Sequence, residues 1–177
     1  MRKTLRIPLD KWYTPRDKSQ EFITKTLDII GIHNLDEVVE PSAGDGAFSD
    51  YLQDYPFTLK SYDIKPDKDY ITPMDFNDLK MDYSDRRLVI GNPPFGRSGC
   101  LAKKFVKKTM RMAKWVGFVL PLSYWYIENY VLDGDILYVR RYRNLVDFGK
   151  FSCVYSLWER EGEVKKEEHI DRFWWLK

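Results

Sequence analysis

The sequence predicts an α/β fold, in which short buried strands alternate with helices. Short apolar runs such as residues 88–90 have the length of buried strands rather than of helices. A short strand at 37–40 runs into a glycine-containing turn and then into a helical stretch, an arrangement that presents backbone N–H groups to a cofactor. Two further apolar stretches, 144–148 and 154–158, are joined by a tight turn, so we expect an antiparallel pair there.

Length and composition indicate one soluble domain. The chain has 177 residues, enough for one domain and hardly two. Its net charge is +2, so contact with nucleic acid has to come from local basic patches. The two cysteines, Cys100 and Cys153, show neither metal-ligand spacing nor a disulfide framework, which suits a reducing cytoplasm. We find no signal peptide and no window near the ~18 apolar residues of a membrane span, so we expect a cytoplasmic protein without a membrane partner.

The first predicted element is a helix that starts at Thr14 and Pro15. Thr14 suits the N-cap position and Pro15 the first helical position, where its missing N–H costs nothing. Gly31 is a typical residue to end the helix. One face of the helix is apolar: Phe22, Ile23, Leu27 and Ile30.

A turn of small residues follows the strand at 37–40, and we call residues 41–46 the glycine turn. Gly44 and Gly46 allow a ligand to approach the backbone closely. The third position of a dinucleotide fingerprint is Ser49 here rather than glycine or alanine, which argues against NAD or FAD.

Acidic residues stand at the ends of three successive predicted strands. Glu40 ends the first strand, Asp63 ends a second strand at 59–63, and Asp75 ends a third strand. An acid at the end of the second strand can accept hydrogen bonds from both hydroxyls of a ribose. Asp75, with the adjacent ring of Phe76, is suited to bond and stack on a cofactor base.

The most unusual stretch is the Asn-Pro-Pro-Phe loop: Asn92, Pro93, Pro94 and Phe95. Each proline fixes its own φ, offers no N–H and drives the residue before it toward extended geometry. The expected result is a rigid strand end with free carbonyls and an outward amide, beside a flat ring. Such a strand end can hold a planar, amide-like ligand.

After this loop, residues 101–114 have a helical pattern with many lysines. Two interpretations of the basic side are open, a solvated helix face and a phosphate-binding patch. The basic residues are Lys103, Lys104, Lys107, Lys108, Arg111 and Lys114.

These residues resemble the class I methyltransferases that use S-adenosylmethionine, and most closely the adenine-N6 methyltransferases of nucleic acid with the gamma-group motif order. The resemblance covers residues 12–158. It is carried by residues 40–48 and by the Asn-Pro-Pro-Phe loop, in that order. The stretch Trp12-Tyr13-Thr14-Pro15 looks like the N-terminal cofactor motif of that group.

The resemblance implies a fold and a domain plan. The fold would be Rossmann-like, with a mainly parallel seven-stranded sheet, the last strand antiparallel, and helices on both faces. The chain would be one methyltransferase domain over 1–177. Within it, 1–35 would hold the cofactor motif and a helix, 36–160 the catalytic core, and 161–177 a C-terminal tail.

The resemblance also implies an activity: methyl transfer from S-adenosylmethionine to the exocyclic N6 amine of adenine in DNA. Asn92 and Pro93 would offer oxygen acceptors to that amine and Phe95 would stack on the extruded base. The implied catalytic residues are Asn92, Pro93, Pro94 and Phe95. The implied cofactor residues are Tyr13, Thr14, Pro15, Glu40, Pro41, Ser42, Ala43, Gly44, Gly46, Asp63, Ile64, Asp75, Phe76 and Asn92.

Three alternatives stay open at the level of the sequence. The substrate adenine can belong to RNA, the substrate can be a protein glutamine, or the chain can be a non-catalytic subunit of the same fold. Phe95 in place of tyrosine favours nucleic acid over glutamine. The family's DNA enzymes usually carry a separate target-recognition domain, which is not evident here. We therefore expect that a partner protein or a homodimer supplies target specificity.

Overall fold

The computed structural model of the chain describes residues 13–126, 130–133, 136–147 and 152–163. Trp12 of the predicted cofactor motif and the predicted tail beyond residue 163 lie outside these ranges. The helices are α1 (Arg16–Ile30), α2 (Ser49–Leu52) and α3 (Cys100–Met110). The strands are β1 (Glu37–Glu40), β2 (Thr58–Asp63), β3 (Thr72–Pro73), β4 (Ser84–Gly91), β5 (Ala113–Pro121), β6 (Tyr130–Asp133), β7 (Ile136–Asp147) and β8 (Ser152–Glu163).

The described strands form one mixed sheet in the order β3-β2-β1-β4-β5-β8-β7-β6. The first five strands of this order run parallel to one another. The last strand, β8, enters antiparallel between β5 and β7, as the sequence predicts. The sheet has one strand more than the predicted seven, because the four-residue β6 pairs with β7 at the edge. The predicted class, a mainly parallel α/β sheet with its last strand antiparallel, is confirmed.

Alternate residues of the central strands point to two separate cores, one on each face of the sheet. Val38 of β1 belongs to the core that α1 and α2 cover, whereas the next residue, Val39, belongs to the core that α3 covers. The same alternation separates Val154 from Tyr155 in β8. This period of two is what a sheet buried on both sides requires, and it confirms helices on both faces.

Two predicted boundaries need correction. Helix α1 begins at Arg16, Pro15 occupies the cap position and no side chain caps the helix, so Thr14 is not the N-cap. Thr14 is instead buried. Helix α3 ends at Met110 rather than at 114, because the chain turns there and enters β5 at Ala113. None of the described helices is both long and apolar enough to span a membrane.

Candidate active site

The glycine turn is fastened to the end of β2 by backbone donors. The N–H of Gly44 donates to Oδ2 of Asp63 at 2.8 Å, and the N–H of Ala43 donates to the carbonyl of Tyr62 at 2.8 Å. Oδ1 of Asp63 accepts from the N–H of Lys65 at 2.8 Å. Asp63 therefore holds two loops at the carboxyl edge of the sheet, and this edge is where α/β proteins bind ligands.

Glu40, the last residue of β1, is buried beneath this turn. Ser49 donates a hydrogen bond to Oε2 of Glu40, and the hydroxyl oxygens of Ser49 and Ser61 lie 2.5 Å apart. Burial raises the pKa of Glu40 to about 8, and the negative charges of Asp45 and Asp63 act in the same direction. Glu40 is therefore a buried acid that favours its neutral form until a cation approaches it.

The Asn-Pro-Pro-Phe loop begins directly beside Glu40. Gly91, the last residue of β4, has φ +151°, and a Cβ placed on it would lie 3.4 Å from Cγ of Glu40. A Cβ at this distance would make ordinary van der Waals contact with Glu40, so glycine is favoured here by its φ, which other residues rarely adopt, and not by a lack of space. Asn92 is the next residue in the chain. The ends of β1 and β4 therefore bring Glu40 and the Asn-Pro-Pro-Phe loop close together.

Within the loop, burial is graded. Pro93 is buried, whereas Asn92, Pro94 and Phe95 are half-buried. The ring of Phe95 packs partly against both cores. The carbonyl of Phe95 accepts hydrogen bonds from the N–H groups of Leu101 and Ala102, at 3.1 and 3.3 Å. The loop is therefore joined to the first turn of α3.

The residues before α1 reach the glycine turn from the other side. The ring of Tyr13 lies 3.5 Å from the position of a Cβ on Gly44, and its hydroxyl donates to Asp67 at 2.5 Å. The N–H of Asp67 in turn donates to the carbonyl of Gly44 at 3.0 Å. Thr14 is buried and Pro15 is exposed. The structure thus brings Tyr13, more than its two neighbours, to the predicted cofactor residues.

The third acid, Asp75, is connected to the site through its neighbour. The N–H of Met74 donates to the carbonyl of Asp63 at 2.8 Å, which holds the end of β3 beside the end of β2. Oδ1 of Asp75 accepts from the N–H and the side-chain amide of Asn77, at 2.8 and 2.9 Å. Ile64, next to Asp63, exposes 56% of its surface and offers an apolar contact at this edge.

Phe76 requires a correction. Its ring is only 7% exposed and stacks on Phe105 of α3, with ring centroids 3.7 Å apart and planes 10° apart. The ammonium of Lys108 lies 4.7 Å from the same ring centroid. The ring therefore belongs to the core under α3, and it is not presented for stacking on a cofactor base. The apolar-aromatic pattern of the sequence does not distinguish these two uses of a phenylalanine.

Arg16 is a site residue that the sequence did not reveal. Its guanidinium donates to the carbonyls of Gly46 and Asp45 at 2.7 and 2.9 Å, and it forms an ion pair with Asp50 at 2.8 Å. These contacts lie about 30 positions away along the chain, and no local pattern marks them. Arg16 fixes the far end of the glycine turn and the start of α2.

Two observations bear on whether the turn fits a bound cofactor. The hydroxyl oxygen of Ser42 is buried and has no hydrogen-bond partner among the described residues, so the turn contains a donor that a ligand carboxylate would satisfy. Gly44 has φ +53°, a conformation that favours glycine, and its nearest neighbour is the ring of Tyr13. At Gly46, by contrast, a Cβ would meet the hydroxyl of Tyr70, so this glycine serves packing. The first part of the turn, residues 42–44, therefore fits a polar cofactor best.

Comparison with known proteins gives a likeness at the level of structure. No protein-family model matches the sequence, and no curated protein matches it significantly. A proposed RNA methyltransferase of Pyrococcus horikoshii superposes with a TM-score of 0.63 at 15% identity, over 88% of this chain and 90% of its own. A proposed class I S-adenosylmethionine-dependent methyltransferase of Listeria monocytogenes gives a TM-score of 0.62 at 11% identity, over 92% of this chain and 66% of its own.

A third similar structure is the 23S rRNA methyltransferase ErmE. Its TM-score is 0.59 at 14% identity, over 92% of this chain and 75% of ErmE. All three matches span most of the chain. The chain therefore has the fold of the class I S-adenosylmethionine-dependent methyltransferases.

Proposed function

We propose that the chain transfers a methyl group from S-adenosylmethionine to the exocyclic N6 amine of adenine in a nucleic acid. One observation carries this proposal: Gly91, the residue directly before the Asn-Pro-Pro-Phe loop, lies so close to Glu40 that a Cβ on it would be 3.4 Å from Cγ of Glu40, at the point where the glycine turn begins. A loop rich in amide and carbonyl acceptors then lies beside the residues suited to a methyl donor. Catalysis requires this closeness, because transfer needs the acceptor atom and the donor within a few ångströms.

The cofactor residues divide by chemistry. Glu40, Ser42 and Gly44 suit the charged methionine end, since they offer a carboxylate, a hydroxyl donor and open backbone. Asp63 suits the ribose, because its two oxygens retain lone pairs beyond the two backbone N–H groups that they bind. Ile64 and Asp75 suit the face and the amine of the adenine base. The bound cofactor supplies an electrophilic methyl group on a sulfonium that is already a good leaving group.

The chain's own part in the reaction is orientation and charge stabilisation. The lone pair of the adenine amine is delocalised into the ring, so the amine is a weak nucleophile. The side-chain oxygen of Asn92 and the carbonyl of Pro93 accept hydrogen bonds from the N–H groups of the amine, which directs the lone pair and stabilises positive charge as it develops on nitrogen. The methylated nitrogen then releases one proton to solvent. Phe95 offers its exposed part as a stacking surface for the base. In a duplex the base must first leave the stack, which costs a few kcal/mol.

The kind of nucleic acid is the finer question. The gamma-group motif order favours DNA. Two of the similar structures, ErmE and the Pyrococcus protein, are named for RNA. Their identities of 14% and 15% relate them to this chain through the fold alone. DNA and RNA are therefore both tested as substrates.

The decisive experiment is methyl transfer followed by nucleoside analysis. The protein is incubated with isotope-labelled S-adenosylmethionine and with DNA or RNA of mixed sequence, and the products are digested to nucleosides and separated by mass. The expected product is N6-methyladenosine or its deoxy form, from one of the two substrates. Label on neither nucleic acid, or label on the glutamine of an added protein, would overturn the proposal. Calorimetry with the cofactor alone separates a lack of substrate from a lack of cofactor binding.

A further inference from the structure

Helix α3 carries lysines along its solvent side, and we infer that they form, with Arg97, the docking surface for the phosphodiester backbone of the substrate strand. This inference rests on the proposed function, because it requires a nucleic-acid substrate. We call the four residues the basic stripe: Arg97, Lys103, Lys104 and Lys107. The stripe deepens the proposed function by naming what holds the substrate on either side of its target base.

The four cations of the stripe are exposed and uncompensated. Each is exposed to solvent, and the sequence of α3, Cys100–Met110, contains no acidic residue. Within the described ranges none of the four forms an ion pair. Like charges at three and four residue spacings on one helix destabilise it slightly, so this clustering is a cost that folding alone does not explain.

Two neighbouring cations, Lys108 of α3 and Lys114 of β5, have structural roles and are left out of the stripe. The ammonium of Lys108 donates to the carbonyls of Phe76 and Asn77, the latter at 2.8 Å. Desolvation lowers the pKa of Lys108, while Asp78 and Asp75 lie close enough to oppose that change. Lys114 pairs with Glu159 at 3.2 Å. Lys108 and Lys114 therefore have protein partners, whereas the four cations of the stripe face solvent.

The stripe starts at the proposed catalytic loop. Arg97 follows Phe95 by two residues, and the first turn of α3 is bonded to the Phe95 carbonyl. With a rise of about 1.5 Å per residue, the helix carries the stripe to Lys107 over about 9 Å from Leu101. A strand of B-form DNA carries one charge per about 3.4 Å of axis, so this length matches about two to three phosphates. A base held by the loop thus has its own flanking phosphates next to the stripe.

Helix α1, on the opposite face of the sheet, serves as an internal comparison. Its basic residues Arg16, Lys18 and Lys25 are interleaved with three acids, Asp17, Glu21 and Asp28. Lys18 pairs with Glu21 at 2.8 Å. Balanced charge of this kind is what a solvated helix face needs, and α3 departs from it. Of the two interpretations of the basic helix that the sequence left open, the contacts favour the phosphate-binding one.

The test compares two double variants with the same loss of charge, K104Q/K107Q on α3 and K18Q/K25Q on α1. Binding of fluorescein-labelled DNA and RNA oligonucleotides is measured by anisotropy between 50 and 200 mM salt. For K104Q/K107Q we expect the slope of log affinity against log salt to fall by about 1.4 to 1.8, and affinity at 50 mM to fall by about 10-fold. For K18Q/K25Q we expect a slope within about 0.3 of the unaltered protein, and for both variants an unchanged cofactor affinity.

The outcomes separate the stripe from the chemistry. Equal slopes for the two double variants, in a protein that still methylates adenine, would overturn the stripe and leave the proposed function standing. The expected loss of slope, without methyladenine in DNA or RNA, would support the stripe and overturn the proposed target atom. Comparison of the DNA and RNA oligonucleotides shows which nucleic acid the stripe binds, since the larger loss of affinity in K104Q/K107Q identifies the preferred one.

Discussion

The carboxylate of Asp63 bridges two backbone donors, with Oδ2 2.8 Å from the nitrogen of Gly44 and Oδ1 2.8 Å from the nitrogen of Lys65. One side chain at the end of β2 thus fixes both the glycine turn and the loop after β2. This double use gives Asp63 a structural role in addition to the cofactor role that the sequence predicts for it.

Substitution of Asp63 by alanine is expected to weaken cofactor binding by about 10-fold or more. The variant loses two hydrogen bonds to a charged acceptor, so the free energy of unfolding should also fall by roughly 1–3 kcal/mol. Calorimetry with S-adenosylmethionine and chemical denaturation measure the two effects separately. Asp28→Ala, on the exposed side of α1, is the matched control. An unchanged dissociation constant for Asp63→Ala would mean that the cofactor does not reach the end of β2.

Substitution of Asn92 by alanine is expected to lower the turnover number by about 100-fold or more while the affinity for the cofactor stays within a few-fold. Loss of a single positioned hydrogen-bond group in a catalytic site typically has this effect. Single-turnover methyl transfer and calorimetry report the two quantities. Asn34→Ala is a suitable control, because Asn34 bonds the end of α1 at the carbonyl of Ile30. Parallel loss of transfer and of cofactor binding in Asn92→Ala would assign Asn92 to the cofactor or to the fold.

The pH dependence of stability should report the buried Glu40. Burial raises its pKa to about 8 from an ordinary value of 4.5, so between these values the folded protein holds a proton that the unfolded chain has released. The free energy of unfolding therefore falls as pH rises through this window, and it levels off above about 8. Glu40→Gln has no proton to lose, so its stability relative to the unaltered protein should rise from pH 5 to pH 8. Urea denaturation of the cofactor-free proteins at pH 5, 6.5 and 8 measures this difference, and a constant difference would contradict the assignment.

Substitution of Arg16 by alanine is expected to raise the dissociation constant of the cofactor by about 10-fold. The variant loses the hydrogen bonds to the carbonyls of Asp45 and Gly46 and the ion pair with Asp50. The end of the glycine turn nearest α2 is then no longer held by α1. Arg16→Lys should restore little of the cofactor affinity, because one ammonium does not reproduce a planar guanidinium that binds two carbonyls at once. Lys25→Ala, another cation of α1, controls for the change of charge. Cofactor affinity within about 2-fold of the unaltered protein would show that the turn keeps its form without Arg16.

Much of the fold follows from local pattern. The strand at 88–90 is marked by an apolar run, the strand at 37–40 by the glycine turn that follows it, and the antiparallel pair near the end by its short connection. The glycine turn and the Asn-Pro-Pro-Phe loop carry their own chemistry, since glycine and proline act on the backbone wherever they stand. These parts of the site were therefore predictable from residues adjacent in sequence.

Other parts depend on partners that are distant in sequence. The contacts of Arg16, and the contact between Ser49 and Ser61, form only when the sheet has formed. No spacing in the sequence predicts these contacts. Phe76 shows the converse, because an aromatic next to an acid suggested a ligand contact whereas the tertiary fold places its ring against Phe105. The edge strand β6 was missed for a similar reason: four residues carry too little pattern to stand out from a loop.

The carbonyl of Phe95 also has a consequence for dynamics. Helix α3 has Gly99 at its N-cap and no side-chain cap, so its first-turn N–H groups at Leu101 and Ala102 depend on this one oxygen. Any motion that swings the Asn-Pro-Pro-Phe loop outward must release both protons to solvent. The rate of amide hydrogen exchange at Leu101 and Ala102 therefore measures loop opening. It can be used to follow the entry of a base even when no methyl group is transferred.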